Sequence, residues 1–128
     1  MITNFKKIII LSFLLICCGC TATQPKEMTQ SNLIEYDRNS LYNLVEHDKG
    51  FYVNVLYKKY QFIPESSAVT LAAKSIASTI AYEHSDKISR EIKDIPDGRY
   101  KISQGRDGLS GVTEVVVQVK CFYKEPKQ

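Results

Sequence analysis

Few side chains of this 128-residue chain could act as nucleophiles or bases, since it contains two histidines and four cysteines. A nucleophilic triad requires a serine or cysteine, a histidine base and a carboxylate that orients it. His84 falls on the apolar stripe of a predicted helix, and His47 falls near the end of another. Neither stands in a catalytic motif, so no catalytic residue is predicted and the protein is not expected to be an enzyme. The enzyme alternative would require a pocket with convergent polar groups near His84 or Tyr82.

No metal or cofactor site is predicted either. Glu83, His84 and Asp86 are the closest candidates for metal ligands, but their offsets do not place three ligands on one face of a helix. The glycines between Gly105 and Gly111 could let backbone N–H groups approach an anion. This loop precedes a strand and lacks the lysine of a P-loop, so a mobile hairpin connection is the favoured interpretation.

Two of the four cysteines end an apolar run at the start of the chain, and a third follows it after one glycine. Residues 1–7 contain two lysines and no acidic side chain, residues 8–18 are apolar, and small or polar residues come next. This layout is typical of a secretory signal peptide. A spanning helix needs about 20 apolar residues, so the run is too short for a permanent one. The alternative is a buried or membrane-spanning N-terminal helix in which the cysteines are small apolar fillers.

Residues 16–21, ICCGCT, resemble the lipobox of bacterial lipoproteins, with Gly19 directly before Cys20. The resemblance implies that a diacylglyceryl group is attached to the Cys20 thiol, that signal peptidase II cuts before this residue and that the new amino terminus is often acylated. The family usually has leucine three residues before its cysteine, where this chain has another cysteine. Cys18 is the alternative lipidation site, because Leu15 then occupies that place.

The resemblance divides the chain into four parts: a signal peptide over residues 1–19, a lipidated cysteine with a flexible tether over 20–30, a single domain over 31–124 and a polar tail over 125–128. Threonine, not aspartate, follows Cys20, which by resemblance to Gram-negative lipoproteins implies transport to the outer membrane. One domain of about 100 residues excludes a multidomain enzyme. The net charge of +3 includes two lysines of the signal region, so no nucleic-acid partner is expected.

Hydrophobic periodicity predicts the elements of an α+β domain. Residues 39–48 are predicted to form a short helix. Residues 51–63 are rich in aromatic and β-branched side chains and are predicted to form a long strand, with a bulge near Lys58 where the apolar side changes. Residues 99–103 and 112–123 are two further predicted strands.

The clearest helix signal covers residues 68–95, with a break at Ser85 as an alternative. Its apolar stripe comprises Val69, Ala73, Ile76, Ile80, His84, Ile88, Ile92 and Ile95. In the last strand one face is predicted to line the core: Val115, Val117, Val119, Cys121 and Tyr123. The predicted fold is therefore a sheet of about three mostly antiparallel strands with one long helix across it and a short N-terminal helix.

Cys121 and the tyrosines carry the remaining chemical signal of the mature domain. Cys121 is predicted to be an inert buried thiol, with pairing between chains as the alternative. Tyr52, Tyr57 and Tyr60 fall on one predicted strand and cannot all point into one core. This indicates that some of them face solvent or a partner.

The sequence therefore predicts a membrane-anchored lipoprotein that acts as a non-catalytic accessory or assembly component of the cell envelope. Its expected partners are the membrane, through the lipid, and another envelope protein or a second copy of itself. The alternative is a periplasmic inhibitor or immunity-type protein that binds a toxin or a muralytic enzyme. Such an inhibitor would use a protruding loop such as residues 104–111, whereas an assembly component would show a broad apolar or tyrosine-rich face.

Overall fold

The computed structural model describes residues 22, 25, 28, 29 and 32–127. The predicted signal peptide and Cys20 lie outside them. The elements are β1 (Ile34–Asp37), β2 (Ser40–His47), β3 (Gly50–Tyr60), α1 (Ser66–Lys87), a 3-10 turn (Asp97–Arg99), β4 (Tyr100–Arg106) and β5 (Val112–Phe122). Across this described part of the chain, no helix combines the length and the hydropathy that crossing a bilayer requires.

The α+β class is confirmed, but the sheet has five strands, not about three. They are antiparallel throughout and lie in the order β1-β2-β3-β5-β4. The two longest strands pair without interruption from Gly50 opposite Phe122 to Tyr60 opposite Val112. The predicted bulge near Lys58 is therefore wrong. Residues 58–60 are exposed, so their apolar side chains need not lie on the same face as those of the buried part of the strand. The backbone pairing therefore stays regular there.

Helix α1 packs on one face of the sheet and forms the core with it. The buried side chains of this core are Phe51, Val53, Val55, Tyr57, Val69, Ala73, Ala77, Ile80, Ala81, Ile92, Val115, Val117, Val119 and Cys121. Three of the helical members are alanines, which allow the helix backbone to approach the sheet closely. The predicted core face of the last strand is confirmed, with Tyr123 partly buried at its end.

We call the opposite side of the sheet the second face. At its centre the Nδ2 of Asn54 donates to Oδ1 of Asn43, and Nε2 of Gln118 donates to Oδ1 of Asn54, both at 2.9 Å. Asn43 and Asn54 are buried, so the two bonds offset the cost of removing their amides from water. This amide ladder joins β2, β3 and β5.

The predicted short helix at residues 39–48 is wrong, because this segment forms β2. Its alternate side chains point to opposite sides of the sheet: Tyr42 and Leu44 pack against the core under α1, whereas Leu41 packs on the second face. Both sides of the strand therefore carry apolar residues. A strand that is covered on both sides lacks the alternation that distinguishes strands from helices in a sequence.

The predicted long helix is confirmed over residues 68–87 and wrong over 88–95. Ser89 has a φ of 54°, and the chain leaves the helix there. The hydroxyl of Ser85 donates to the carbonyl of Arg90 at 2.7 Å, so Ser85 closes the helix end and does not cap a second helix. Beyond this turn Ile92 forms a β-bridge with Tyr123, which places an extended segment beside the end of β5.

Two described residues of the predicted tether lie against the second face. Ala22 and Met28 are buried in a cluster with Leu56 and Val116. The backbone N–H of Met28 donates to the carbonyl of Pro25 at 3.0 Å, which closes a turn ahead of the buried side chain.

Candidate functional site

The two histidines lie on opposite faces of the sheet. On the helix side, the ring of His84 packs edge-to-face on Phe51, with centroids 4.7 Å apart. Its Nε2 is buried and has no hydrogen-bond partner within the described residues. On the second face, the His47 ring receives a hydrogen bond at Nδ1 from the backbone N–H of Lys49 and donates one from Nε2 to the carbonyl of Cys121. This pattern selects the neutral tautomer with the proton on Nε2.

The Cys121 thiol is buried in the core, as predicted. Burial raises its pKa to about 11, against a smaller lowering effect of Arg99. The thiol is therefore protonated at neutral pH and is not positioned as a nucleophile. In residues 32–127 and the few described ahead of them, no three histidine, cysteine or acidic side chains are grouped as metal ligands would be.

The loop between β4 and β5 is shorter and tighter than the predicted mobile connection, because β4 continues to Arg106. Backbone bonds from Asp107 N–H to the Val112 carbonyl and from Gly111 N–H to the Asp107 carbonyl close it. The N–H of Leu109 donates to the Asp107 carboxylate, and together with Ser110 it holds the pKa of that carboxyl below its usual range. The tight turn projects the Leu109 side chain, which is 100% exposed.

Large apolar side chains are exposed at the end of the sheet where this loop lies. Phe62 is 86% exposed, and the other members are exposed by well over half. We call this set the apolar tip, and it comprises Tyr60, Phe62, Ile63, Leu71 and Leu109. They come from the end of β3, the loop that follows it, the second turn of α1 and the β4–β5 loop. Tyr60 lines the second face and Leu71 lies on the exposed side of α1, so the set extends around this end of the domain. Large exposed apolar side chains indicate an interaction surface.

Gln61 joins the two loops of the apolar tip. Its backbone N–H donates to the Gly111 carbonyl at 2.9 Å, and its own carbonyl accepts from Nη2 of Arg106 at 2.9 Å. Its side-chain oxygen accepts from the Thr113 hydroxyl, which also accepts from Nη1 of Arg106. The ring of Tyr60 lies against Gly111, whose φ of 72° favours glycine at that position. The backbones of the two loops are thus joined by a bonded framework.

A groove of about 380 Å³ adjoins the tip on the second face, between the β1–β2 turn and the end of β3. Its apolar lining includes Leu41, Leu56, Tyr60 and Val112, and its charged rim includes Glu35, Asp37, Arg38, Lys58 and Lys59. The ammonium of Lys58 lies 3.6 Å from the Glu114 carboxylate. An apolar floor with a rim of mixed charge is the usual composition of a protein-binding surface.

The tip was only partly foreseeable from the sequence. Tyr60 was among the tyrosines expected to face solvent or a partner, and the structure exposes it, whereas Tyr57 is buried in the core. Phe62 and Ile63 were assigned to a strand that in fact ends before them. The Pro64 that follows them, with Glu65 and two serines, was the available signal that the segment is a turn.

Comparisons with protein-family models, with curated proteins and with solved structures found no match for this chain.

Proposed function

We propose that this protein is a bacterial lipoprotein, anchored through Cys20, whose domain binds another cell-envelope protein without catalysing a reaction. In a Gram-negative cell the anchor places it at the periplasmic face of the outer membrane. The binding role rests on one observation, the apolar tip. Its side chains contribute little to the core and are exposed to water, which is unfavourable unless another surface covers them.

The framework around Gln61 supports the same role. Loops whose backbone is already fixed lose less conformational freedom on binding than loose loops. The tip also combines a tyrosine and a phenylalanine with aliphatic residues, and aromatic residues are enriched in the centres of protein interfaces. The adjoining groove provides the polar rim.

The anchor is tested by mass spectrometry of the protein extracted from membranes. We expect the mature chain to begin at Cys20 and to carry acyl groups on it, and Cys20→Ser to abolish both the cleavage and the acylation. Cys18→Ser is the matched control, because it leaves the proposed site intact. An unmodified chain that begins at Met1 would overturn the anchor.

The binding role is tested by photocrosslinking from the tip in intact cells. A photoreactive residue at position 109 is expected to crosslink to one or a few specific proteins. The same residue at Ile88, which is exposed near the opposite end of α1, serves as the control. The pair Phe62→Ser and Ile63→Ser should lower the yield from position 109 at least about tenfold, which corresponds to about 1.4 kcal/mol of binding free energy. Equal yields from both positions would contradict the proposal.

Leu109 supports a second candidate, the inhibitor or immunity-type protein. It is fully exposed at the end of a tight loop, as a residue that enters the cleft of a toxin or a muralytic enzyme would be. The purified protein should then inhibit such an enzyme at equimolar concentration, and Leu109→Ser should relieve the inhibition. An assembly component would give no inhibition at any ratio.

A further inference from the structure

The second face carries basic and aromatic side chains toward the β2–β3 turn, at the end away from the apolar tip. The ammonium of Lys120 lies 5.5 Å from the centroid of the Tyr52 ring and 5.2 Å from that of Phe122. The guanidinium of Arg99 lies 4.2 Å from the centroid of the Phe122 ring. His47 contacts both rings, with centroids 5.0 and 5.5 Å away. We call these five residues the cation–aromatic cluster.

The charge around this cluster is mainly positive. An open cavity of about 340 Å³ is lined by its Lys120 and by Lys49, and Asp48 is the carboxylate of that lining. Lys101 lies on the same face, opposite Gln118 in the register of β4 and β5. Aromatic rings next to ammonium groups are suited to contact a surface that has an anionic outer layer over an apolar interior.

Ala22, the described residue nearest to the proposed anchor, lies on this same face. Ala22 packs with Leu56 and Val116 on the second face, and it follows Cys20 by two residues. Two extended residues span at most about 7 Å. From Val116 to Lys120 along β5 the distance is about 13 Å. With about 4–5 Å added for the contact between Ala22 and Val116, the acyl chains would enter the membrane within about 25 Å of the cation–aromatic cluster.

We infer that the second face, between Ala22 and the β2–β3 turn, lies on the surface of a phospholipid bilayer with anionic headgroups. The inference rests on the lipid anchor of the proposed function and adds an orientation to it. Lys101, Lys120 and Arg99 contact phosphate groups, while Tyr52 and Phe122 lie at the level of the headgroups. In this orientation the apolar tip lies at one end of the sheet, alongside the membrane, where a membrane-bound partner can reach it.

The absence of tryptophan from the sequence allows a direct test with single reporters. Tyr52→Trp places a fluorophore in the cluster, and Tyr82→Trp places one on the exposed side of α1, on the other side of the molecule. Each full-length variant is purified in its acylated form and reconstituted into phosphatidylglycerol-containing vesicles, with phospholipid brominated near the headgroup as quencher. Lys101→Trp is a further reporter on the second face, at an exposed position, for use if Tyr52→Trp destabilises the fold; it removes one of the three cations and leaves Lys120 and Arg99 to contact phosphate.

We expect bromolipid to quench the tryptophan at position 52 or 101 by about half and the one at position 82 hardly at all. Vesicles of phosphatidylcholine, or salt at about 1 M, which shortens the screening length to about 3 Å, should reduce the quenching severalfold. Equal quenching at positions 52 and 82, or stronger quenching at 82, would overturn the inference. Equal quenching in the two kinds of vesicle would overturn its electrostatic part.

The mass of the reconstituted protein distinguishes a failure of the proposed anchor from a failure of the inferred orientation. A chain without acyl groups contradicts the anchor itself. An acylated chain whose reporters at positions 52 and 101 are shielded from bromolipid contradicts the orientation alone. Reporter emission that depends on protein concentration, and not on lipid, would show that a second copy covers the face, and this would also overturn the inference.

Discussion

Gly50 lies directly against the carbonyl group of Cys121, where β3 and β5 begin their pairing. A methyl group built on Gly50 would overlap that carbonyl oxygen and would also crowd the Cα of Phe122. Both neighbours are backbone atoms of the central strand pair, so neither can move without disturbing the ladder. The position therefore requires glycine because of space.

Gly50→Ala is expected to lower the free energy of unfolding by at least about 3 kcal/mol, or to prevent folding. Gly98→Ala is the matched control, because nothing lies within 4 Å of a Cβ at that position. Urea unfolding followed by circular dichroism measures both. Equal urea midpoints for the two variants would contradict this prediction, because they would show that the ends of β3 and β5 can move apart at little cost in free energy.

The amide ladder predicts a second large effect on stability. Asn54→Ala removes both ladder bonds and opens a cavity at the centre of the second face, and we expect a loss of about 2–3 kcal/mol. Asn39→Ala should change the stability by less than about 0.5 kcal/mol, because the bonds from its N–H to Asp37 and from the Lys58 N–H to its carbonyl use backbone groups that alanine retains. A neutral Asn54→Ala would mean that the ladder contributes nothing.

Ser89 offers an opportunity to stabilise the protein. Its left-handed φ of 54° is unfavourable for a residue with a side chain, so Ser89→Gly should raise the free energy of unfolding by about 1 kcal/mol. The same change at Ser75, which is exposed in the middle of α1, should lower it by about 0.5 kcal/mol. The opposite signs of two identical substitutions, read from thermal unfolding, are the test.

The Arg106 side chain is expected to stabilise the loops of the apolar tip through its hydrogen bonds. Arg106→Ala removes the bonds to the Gln61 carbonyl and to the Thr113 hydroxyl, and we expect a loss of about 1–2 kcal/mol in stability. Lys101→Ala, which removes an exposed cation from the same strand, is the control. Amide hydrogen exchange should be faster in both tip loops of Arg106→Ala, and unchanged exchange there would contradict the joining role of Gln61.

The Cys121 thiol predicts a loss of stability at alkaline pH. Its pKa is raised from the ordinary 9.0 to about 11 in the folded state, so the unfolded state releases its proton first. The stability that the buried neutral thiol contributes is complete below pH 9 and decreases as the pH rises toward 11. Cys121→Ala should have a flatter pH profile over this range. In the native protein a thiol reagent at neutral pH should react no faster than the protein unfolds.

Elements with one buried side were the ones that the sequence predicted best. Helix α1 buries one side, and β5 buries Val115, Val117, Val119 and Cys121 on the side under the helix, against Val116 alone on the second face. The start of α1 and both ends of β5 were predicted to within two residues. Strand β2 was missed because both of its sides carry apolar residues. On the second face it packs in a cluster with Met28 and Leu33, which come from a segment without hydrophobic periodicity. The end of α1 was missed because the apolar spacing continues to Ile95, although the backbone leaves the helix at Ser89.

The apolar tip could not be predicted for a related reason. Phe62 and Leu109 are more than forty residues apart in the chain, and each alone resembles an ordinary loop residue. Their loops meet because β3 and β5 are neighbours in the sheet, and Gln61 bonds across that junction. A local sequence pattern does not indicate that two distant loops are in contact. The exposure of some tyrosines, by contrast, could be predicted from the alternation of side chains within a single strand.

The strand order also determines when this domain can fold. β5, the last strand of the chain, lies between β3 and β4 in the sheet and contributes Val115, Val117 and Val119 to the core. Without β5, one edge of β3 stays unpaired and α1 cannot be buried. Local structure in an incomplete chain is therefore little stabilised. A precursor carrying the proposed signal would therefore stay unfolded until β5 had emerged. It would thus remain narrow enough to be threaded through a membrane pore.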